Sequence, residues 1–245
     1  MRRFYISPDA LNSDPVILDQ EESHHLTRVL RLREGDEVEL FDGTGALYAG
    51  TIDKIGKQVA VSPASLIQAP GERQGGSIIV CQGDLKGGKM NFLVEKCTEL
   101  GVERLIPFSA GRSQGRLDGQ RLQQRWQRRM SIVKKACKQS GRLRFMQVDM
   151  ERSFAELLEI DFGPSHSKCF FWEKAKSLTL AEAISGQTDG GVFLMIGPEG
   201  GFSDEEATLA LGSGWQAVSL GDLILRAETA TITAVAVINH LLGRM

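Results

Sequence analysis

The 245-residue chain contains no apolar run near the ~18–20 residues that a membrane-spanning helix needs. Its first residues, MRRFYISPDAL, carry two arginines without a following apolar segment, so they read as a short strand and not as a secretory signal. Cysteine is scarce. Cys81, Cys97, Cys137 and Cys169 stand far apart, none in a C-x-x-C pair, which excludes a disulfide framework and a zinc ribbon. Each lies within an apolar pattern, so they read as buried thiols of a reducing, cytoplasmic protein. Histidine is equally sparse. His24 and His25 are adjacent, His166 and His240 are remote, and no metal-ligand set is complete. His24 and His25 read as surface or helix-capping residues. A large net charge is also missing, since 29 bases face 31 acids.

The near-neutral total conceals an uneven distribution. Between Leu85 and Arg144 stand 15 Lys/Arg and four acids, a local +11, whereas residues 1–72 carry −5. A concentrated basic middle suggests a polyanion footprint on one face. Arg121, Arg125 and Arg128 share a helix face at 4-3 spacing, joined by Arg129, Lys134, Lys135 and Lys138. Arg112, Arg116 and Arg142 flank them. Contacts of this type give affinity and salt dependence and do not select sequence. The plain alternative is a solvated, arginine-rich helix.

The first seventy residues read as β-rich. VILDQEESHHLTRVLRL opens with a strand and continues as a helix from about Glu21, with Leu26, Val29 and Leu30 at helical spacing. Two alternating segments follow around Asp42-Gly43 and Gly45, the signature of a hairpin turn. Short strands around one helix suggest a small β-barrel. QAPGERQGG (68–76) is a linker by composition, which places the domain boundary at 72/73.

Beyond it, strands and helices alternate. SIIVCQ, VERLIPF, KCFFW, VFLMIG and QAVSL read as strands; 89–100, 118–139, 178–184, the segment after Ser203 and 229–242 read as helices. Ser203 with Glu206 forms a capping box. The strands are apolar without polar alternation, which argues for a parallel sheet covered on both faces in an α/β domain.

Ligands of open α/β sheets bind beyond the carboxyl ends of the strands. IGPEGGFS (196–203) lies at such an end. It is neither G-x-G-x-x-G nor a phosphate loop followed by G-K-[ST]. It offers a φ-locked turn at Pro198, a carboxylate at Glu199, and bare backbone at Gly200 and Gly201. A second strand end, LGDLILRAETA (220–230), adds Gly221, an apolar Leu223-Ile224-Leu225, then Arg226 and Glu228. Such a pocket suits an adenosine with an apolar wall and lacks the basic groups that a pyrophosphate wants.

These two loops, with KGGKMNFLVEKCTELGV (86–102), ACKQSGR (136–142) and VLRLREGDEVELFDG (29–43), resemble the ribosomal RNA small subunit methyltransferase E family, 16S rRNA uridine-N3 methyltransferases of the SPOUT superfamily. The resemblance spans most of the chain. It implies a PUA-like N-terminal barrel and a C-terminal SPOUT-type α/β domain with a deep trefoil knot. It also implies S-adenosylmethionine as methyl donor, the small ribosomal subunit as partner, a homodimer, and no metal. The implied cofactor residues are Met195, Ile196, Gly197, Pro198, Glu199 and Gly200 in the first loop. In the second they are Leu220, Gly221, Ile224, Leu225, Arg226, Thr229 and Ala230, with Trp172 and Glu173 as a third wall. The family usually carries Pro-Arg where Asp222-Leu223 stand here, and Thr at Ala227.

Uracil N3 must lose a proton to become a nucleophile. Arg226 or Arg112 suits stabilisation of the anion, and Glu199 or Glu228 suits acceptance of the proton or orientation of the arginine. A non-catalytic RNA-binding factor, or another methylation specificity on the same fold, remains the competing expectation.

Overall fold

The computed structural model describes residues 2–71, 76–111, 119–161, 163, 166–175, 178–185 and 191–245. The chain divides into two compact units, residues 1–73 with 134–145, and residues 74–133 with 146–245.

The first unit holds β1 (Arg3–Tyr5), β2 (Val16–Ile17), β3 (Glu37–Phe41), β4 (Leu47–Ile55) and β5 (Val59–Gln68), in the order β1-β3-β4-β5-β2. β1 joins β3 in parallel and the other pairings are antiparallel. The β3–β4 turn forms where the sequence marks it. Asp42 accepts hydrogen bonds from the Thr44 amide and hydroxyl at 2.8 and 2.7 Å, and Gly43 and Gly45 adopt φ of +81° and +111°, backbone that side chains disfavour. Phe4, Leu18, Leu26, Leu40 and Val59 fill the core.

Helix α1 (Gln20–His24) starts at Asp19, whose side chain accepts from the Glu22 amide. It then widens into a π turn, His25–Val29, in which the Leu30 amide reaches the His25 carbonyl at 3.0 Å. The extra residue in the turn shifts the side-chain phase. Leu26 is buried, but Val29 and Leu30 are exposed, although regular helical spacing puts all three on one face. Glu22 is fully buried and accepts from Lys138 at 2.6 Å, with Lys134 at 3.3 Å. This carboxylate explains why residues 134–145 cluster with the first unit.

The second unit holds β6 (Ile78–Gly83), β7 (Arg104–Ser109), β8 (Gln147–Val148), β9 (Arg152–Ser153), β10 (Ser167–Phe171), β11 (Val192–Ile196) and β12 (Gln216–Val218). Their order is β12-β10-β11-β6-β7-β8, with β9 beside β7, and every pairing is parallel. The helices are α2 (Lys89–Glu99), α3 (Gly119–Ser140, of which 119–133 belong to this unit), α4 (Phe154–Leu158), α5 (Leu180–Ile184), α6 (Asp204–Gly212) and α7 (Ala227–Leu241). β11, buried at every position, lies between β10 and β6. Phe108, Phe170, Phe193, Phe202 and Trp215 pack in one core cluster, each burial worth ~1.5–3 kcal/mol.

Gly101 closes α2 at φ +77°, and the Ser203–Glu206 capping box is formed. A second box, Ser153–Glu156, starts α4. β8, β9 and α4 are too short to carry a readable period. All four cysteines are buried free thiols. Burial pushes the Cys81 thiol far up and that of Cys169 up to about 12, so neither is a ready nucleophile.

Replacing Glu22 with Ala leaves two largely buried ammonium groups without their shared carboxylate. We expect a loss of ~3 kcal/mol in urea unfolding of the full chain; an unchanged midpoint would show that Glu22 does not hold this unit together.

Candidate functional site

Gln82, the penultimate residue of β6, is fully buried. Its side-chain amide nitrogen donates to the carbonyls of Gly83 at 3.1 Å and Gly197 at 3.2 Å. Its oxygen accepts from the Thr231 hydroxyl of α7 at 2.6 Å. One residue on, Gly83 lets the loop after β11 approach closely. A Cβ there would stand 2.4 Å from the Pro198 nitrogen. The loop itself turns at Pro198, whose carbonyl accepts from the Gly201 amide at 2.9 Å, with Gly201 at φ +65°.

Between this loop, the loop after β12 and the end of β10 lies a cavity of about 750 Å³. Its walls include Trp172 and Glu173 from the end of β10, Ile196–Phe202 after β11, and 218–227 with Ala230 after β12. Trp172 stacks on Phe170, and its buried indole nitrogen has no hydrogen-bond partner. Leu223 and Ile224 are 81% and 88% exposed, an unusual placement for two large apolar residues.

Glu199 accepts from the Lys86 amide at 3.1 Å and from Lys89 Nζ at 3.2 Å. Lys89, the first residue of α2, also stands 3.7 Å from Glu228. Burial pushes the Glu199 carboxyl upward. Its own backbone amide, that of Lys86 and the Lys89 ammonium outweigh this and hold it below the ordinary carboxylate range. The second oxygen of Glu228 is buried without a partner. Arg226 is exposed at the cavity wall, and no ion pair holds it among the described residues. The cavity therefore combines backbone-rich, apolar walls with the Arg226 guanidinium, the Lys89 ammonium and the carboxylates of Glu173, Glu199 and Asp222; Glu228 lies off the lining and meets it through Lys89.

The sequence-expected residues Trp172, Glu173, Ile196, Gly197, Pro198, Glu199, Gly200, Leu220, Gly221, Ile224, Leu225, Arg226 and Ala230 all line this one cavity. Met195 does not. Its side chain packs in the core cluster with Phe193 and Phe170, because a strand alternates its faces. Thr229 lies on the exposed side of α7, off the lining. Gly201, read from the sequence as bare backbone, lines the cavity too, whereas Lys89, Phe202 and the hub Gln82 carry no signal that the sequence reading used. Lys89 stood in view in KGGKMNF, but its partners come from loops over a hundred residues away.

The basic stretch is partly neutralised. Arg125 binds Asp84 at 2.9 Å and Glu151 at 3.3 Å, and the buried Arg129 binds Asp84 at 3.2 Å. Burial and the neighbouring Asp84 raise the Glu151 carboxyl, against the pull of the two guanidiniums. Arg121 and Arg128 remain exposed. The Asn91 amide, turned with its oxygen toward Arg128, accepts from that guanidinium at 3.1 and 3.3 Å. Arg142 belongs to the first unit and donates to the Arg144 carbonyl. Arg112 and Arg116 lie outside the described residues. Trp126 of α3 is half-buried and donates to the Val148 carbonyl at 2.8 Å.

A parallel sheet with a glycine-loop cavity at its carboxyl edge, following a smaller β unit, is an architecture that RNA methyltransferases share, and the family models assign the chain to that class. Residues 72–239 match the RNA methyltransferase domain and residues 18–61 the RNA methyltransferase PUA domain. The ribosomal RNA small subunit methyltransferase E of Synechocystis is 31% identical over 98% of this chain and 78% of its own. That of Bacillus subtilis is 29% identical over 98% and 96%. The solved structure of the Neisseria gonorrhoeae enzyme, bound to S-adenosyl methionine, superposes with a TM-score of 0.85 at 30% identity and covers 98% of both chains. The chain belongs to the ribosomal RNA small subunit methyltransferase E family. No helix of the described residues is long and apolar enough to cross a membrane, and no cluster of metal ligands occurs among them.

Replacing Gln82 with Leu removes the donor to the strand-end carbonyl of Gly83 and the loop carbonyl of Gly197, and the acceptor of Thr231. Urea unfolding followed by circular dichroism is expected to show a loss of ~1–3 kcal/mol. A variant as stable as the wild type would mean that the loops hold themselves.

Proposed function

We propose that this chain transfers a methyl group from S-adenosylmethionine to N3 of a uridine in the 16S rRNA of the small ribosomal subunit. The observation that carries the reading is the cavity at the ends of β10, β11 and β12. Its walls are mostly backbone and apolar side chains, and its ammonium is committed to two carboxylates. That composition fits an adenosyl group and does not fit a nucleotide pyrophosphate. The orphaned Trp172 nitrogen supplies a donor within the wall. Ile196–Gly201, Leu220–Leu225 and Trp172 are the residues that would hold S-adenosylmethionine, which supplies an electrophilic methyl group when bound.

The chain's own residues then handle the proton. Arg226 donates to a uracil carbonyl oxygen and stabilises the anion formed when N3–H is lost. Glu228, with one buried oxygen unpartnered, accepts that proton and passes it to solvent. Glu199, held below the ordinary carboxylate range, is a poor base. It acts as a clamp that fixes the first loop to the start of α2. Lys89 holds the two carboxylates in register. Asp222-Leu223 stands where the family usually carries Pro-Arg, so among the described residues Arg226 supplies the guanidinium of the lining.

The reading includes a homodimer and a trefoil-knotted second domain. Phe92, Val237 and Leu241, exposed on α2 and α7, form apolar surface suited to a second copy. Exposed Arg121 and Arg128, with Arg112 and Arg116, suit phosphate contact, whereas Arg125 has the structural partners Asp84 and Glu151. The protein would work in the cytoplasm, where ribosomal subunits assemble.

The test is transfer of a labelled methyl group from S-adenosylmethionine to 16S rRNA, free or in the small subunit. Glu228→Gln and Arg226→Ala are each expected to lower turnover about 100-fold while calorimetric affinity for S-adenosylmethionine holds. Full turnover in Glu228→Gln would remove it as proton acceptor. A wild type that binds no S-adenosylmethionine would overturn the whole reading.

A further inference from the structure

Val29 and Leu30 are the residues that the π turn displaces from the core, and they are 61% and 37% exposed. Two residues after Val29, Arg31 adopts φ +54°, a left-handed backbone that non-glycine residues seldom take. The two apolar side chains open onto a cavity of about 550 Å³ inside the first unit, a size that holds a small ligand such as one nucleotide. Its ionisable lining is Arg2, Arg3, Lys135 and Lys138 with two imidazoles, against a single carboxylate, Glu21.

The four cations divide into two pairs. Arg3 is committed to Glu39 at 2.8 Å and to the Gly141 carbonyl at 2.7 Å. Lys138 is committed to Glu22 at 2.6 Å. These form fixed walls. Arg2 and Lys135 are 53% and 65% exposed and, among the described residues, pair with the solvent-exposed acids Asp36 at 3.7 Å and Glu21 at 3.6 Å. Such pairs are worth little, so a phosphate can displace them.

The tautomer of His25 follows from its neighbour. Lys138 Nζ lies 3.3 Å from His25 Nδ1. An ammonium can only donate, so Nδ1 accepts and the ring proton sits on Nε2. Burial, then the Lys138 ammonium, lower the His25 pKa, which keeps the ring neutral at pH 7 with one N–H donor and its other nitrogen occupied.

We infer that this cavity is a nucleotide subsite for a single-stranded segment of the RNA substrate. One splayed base rests on Val29 and Leu30, with His25 Nε2 donating to an acceptor on its edge, and the phosphate lies between Arg2 and Lys135. Single-stranded RNA is read in this way, by an apolar platform, a base-edge hydrogen bond and cations along the backbone. An acidic peptide could satisfy the cations and the imidazole donor, but the Val29–Leu30 platform suits a planar base, and RNA is the substrate proposed for this chain. The inference rests on the reading of 16S rRNA as the substrate. It assigns the RNA a contact that charge alone did not reveal, since residues 1–72 are acidic overall.

The test uses the full chain, a 16S rRNA transcript and two variants, Arg2→Glu/Lys135→Glu and Val29→Asp. Filter binding is measured from about 50 to 200 mM salt. The charge-reversal variant is expected to bind about tenfold more weakly and with a salt slope shallower by ~0.7, the loss of one phosphate contact on a single strand. Val29→Asp is expected to bind more weakly with the slope kept. An unchanged circular dichroism spectrum and urea midpoint in both variants show that the first unit is folded. A 4-thiouridine-substituted transcript is expected to crosslink within residues 24–30. Wild-type RNA affinity in both variants, with wild-type methyl transfer intact, overturns the subsite and leaves the proposed reaction standing. Loss of small-subunit binding with naked rRNA binding unchanged points to a protein contact and also overturns it. A wild type that binds no RNA overturns both.

Discussion

Three elements far apart in the chain meet on the side chain of Gln82. It stands at the end of β6, donates to the carbonyl that begins the glycine loop and accepts from the helix that follows the second loop. A buried amide whose donor and acceptor sides both find partners is rigid, because leaving any of those groups unpaired inside the protein costs about 1–3 kcal/mol. Gly83 completes the constraint, since only a residue without Cβ lets Pro198 pack against the strand. The cavity walls therefore belong to the sheet, and the ligand site needs no movement of β6 or β11 to exist. Glu199 extends the same logic outward by tying the loop to the Lys86 amide and Lys89. The two cavities differ in this respect. The cavity of the second unit is built on buried hydrogen bonds, whereas that of the first has a half-exposed, weakly paired cationic rim.

The parallel sheet was legible because its strands are continuous apolar runs bounded by glycine, and its helices carry stripes and caps that local rules recognise. The cavity was legible because its walls are backbone turns, and turns leave glycine and proline in the sequence. Gln82 and Lys89 were not. A single polar residue at the end of an apolar strand, or one lysine in a helix start, carries no period, and its meaning depends on partners more than a hundred residues away. Met195 failed for a related reason. It adjoins the loop in sequence, but strand alternation turns its side chain into the core. Val29 and Leu30 failed because their spacing assumed a regular helix, and a π turn adds one residue to the repeat.

Charge shows the limit of a window most clearly. The local +11 between Leu85 and Arg144 counts only acids that are near in sequence. In the fold, Glu151 joins Asp84 on Arg125, Asp84 also holds Arg129, and Glu22 with Asp19 meets Lys134 and Lys138. Much of the basic middle is structural. Among the described residues of this stretch, Lys86, Arg121, Arg128, Lys135 and Arg144 stay exposed to solvent.

The central claim is that these two units together methylate N3 of one uridine in 16S rRNA. Mass-spectrometric mapping of nucleosides in 16S rRNA from a strain lacking this chain tests it most directly. The account predicts that a single 3-methyluridine disappears and returns when the wild-type chain is restored, but not when the Glu228→Gln variant is. An unchanged set of 16S methyluridines, or loss of a methyl group from a different base or from tRNA, would contradict it.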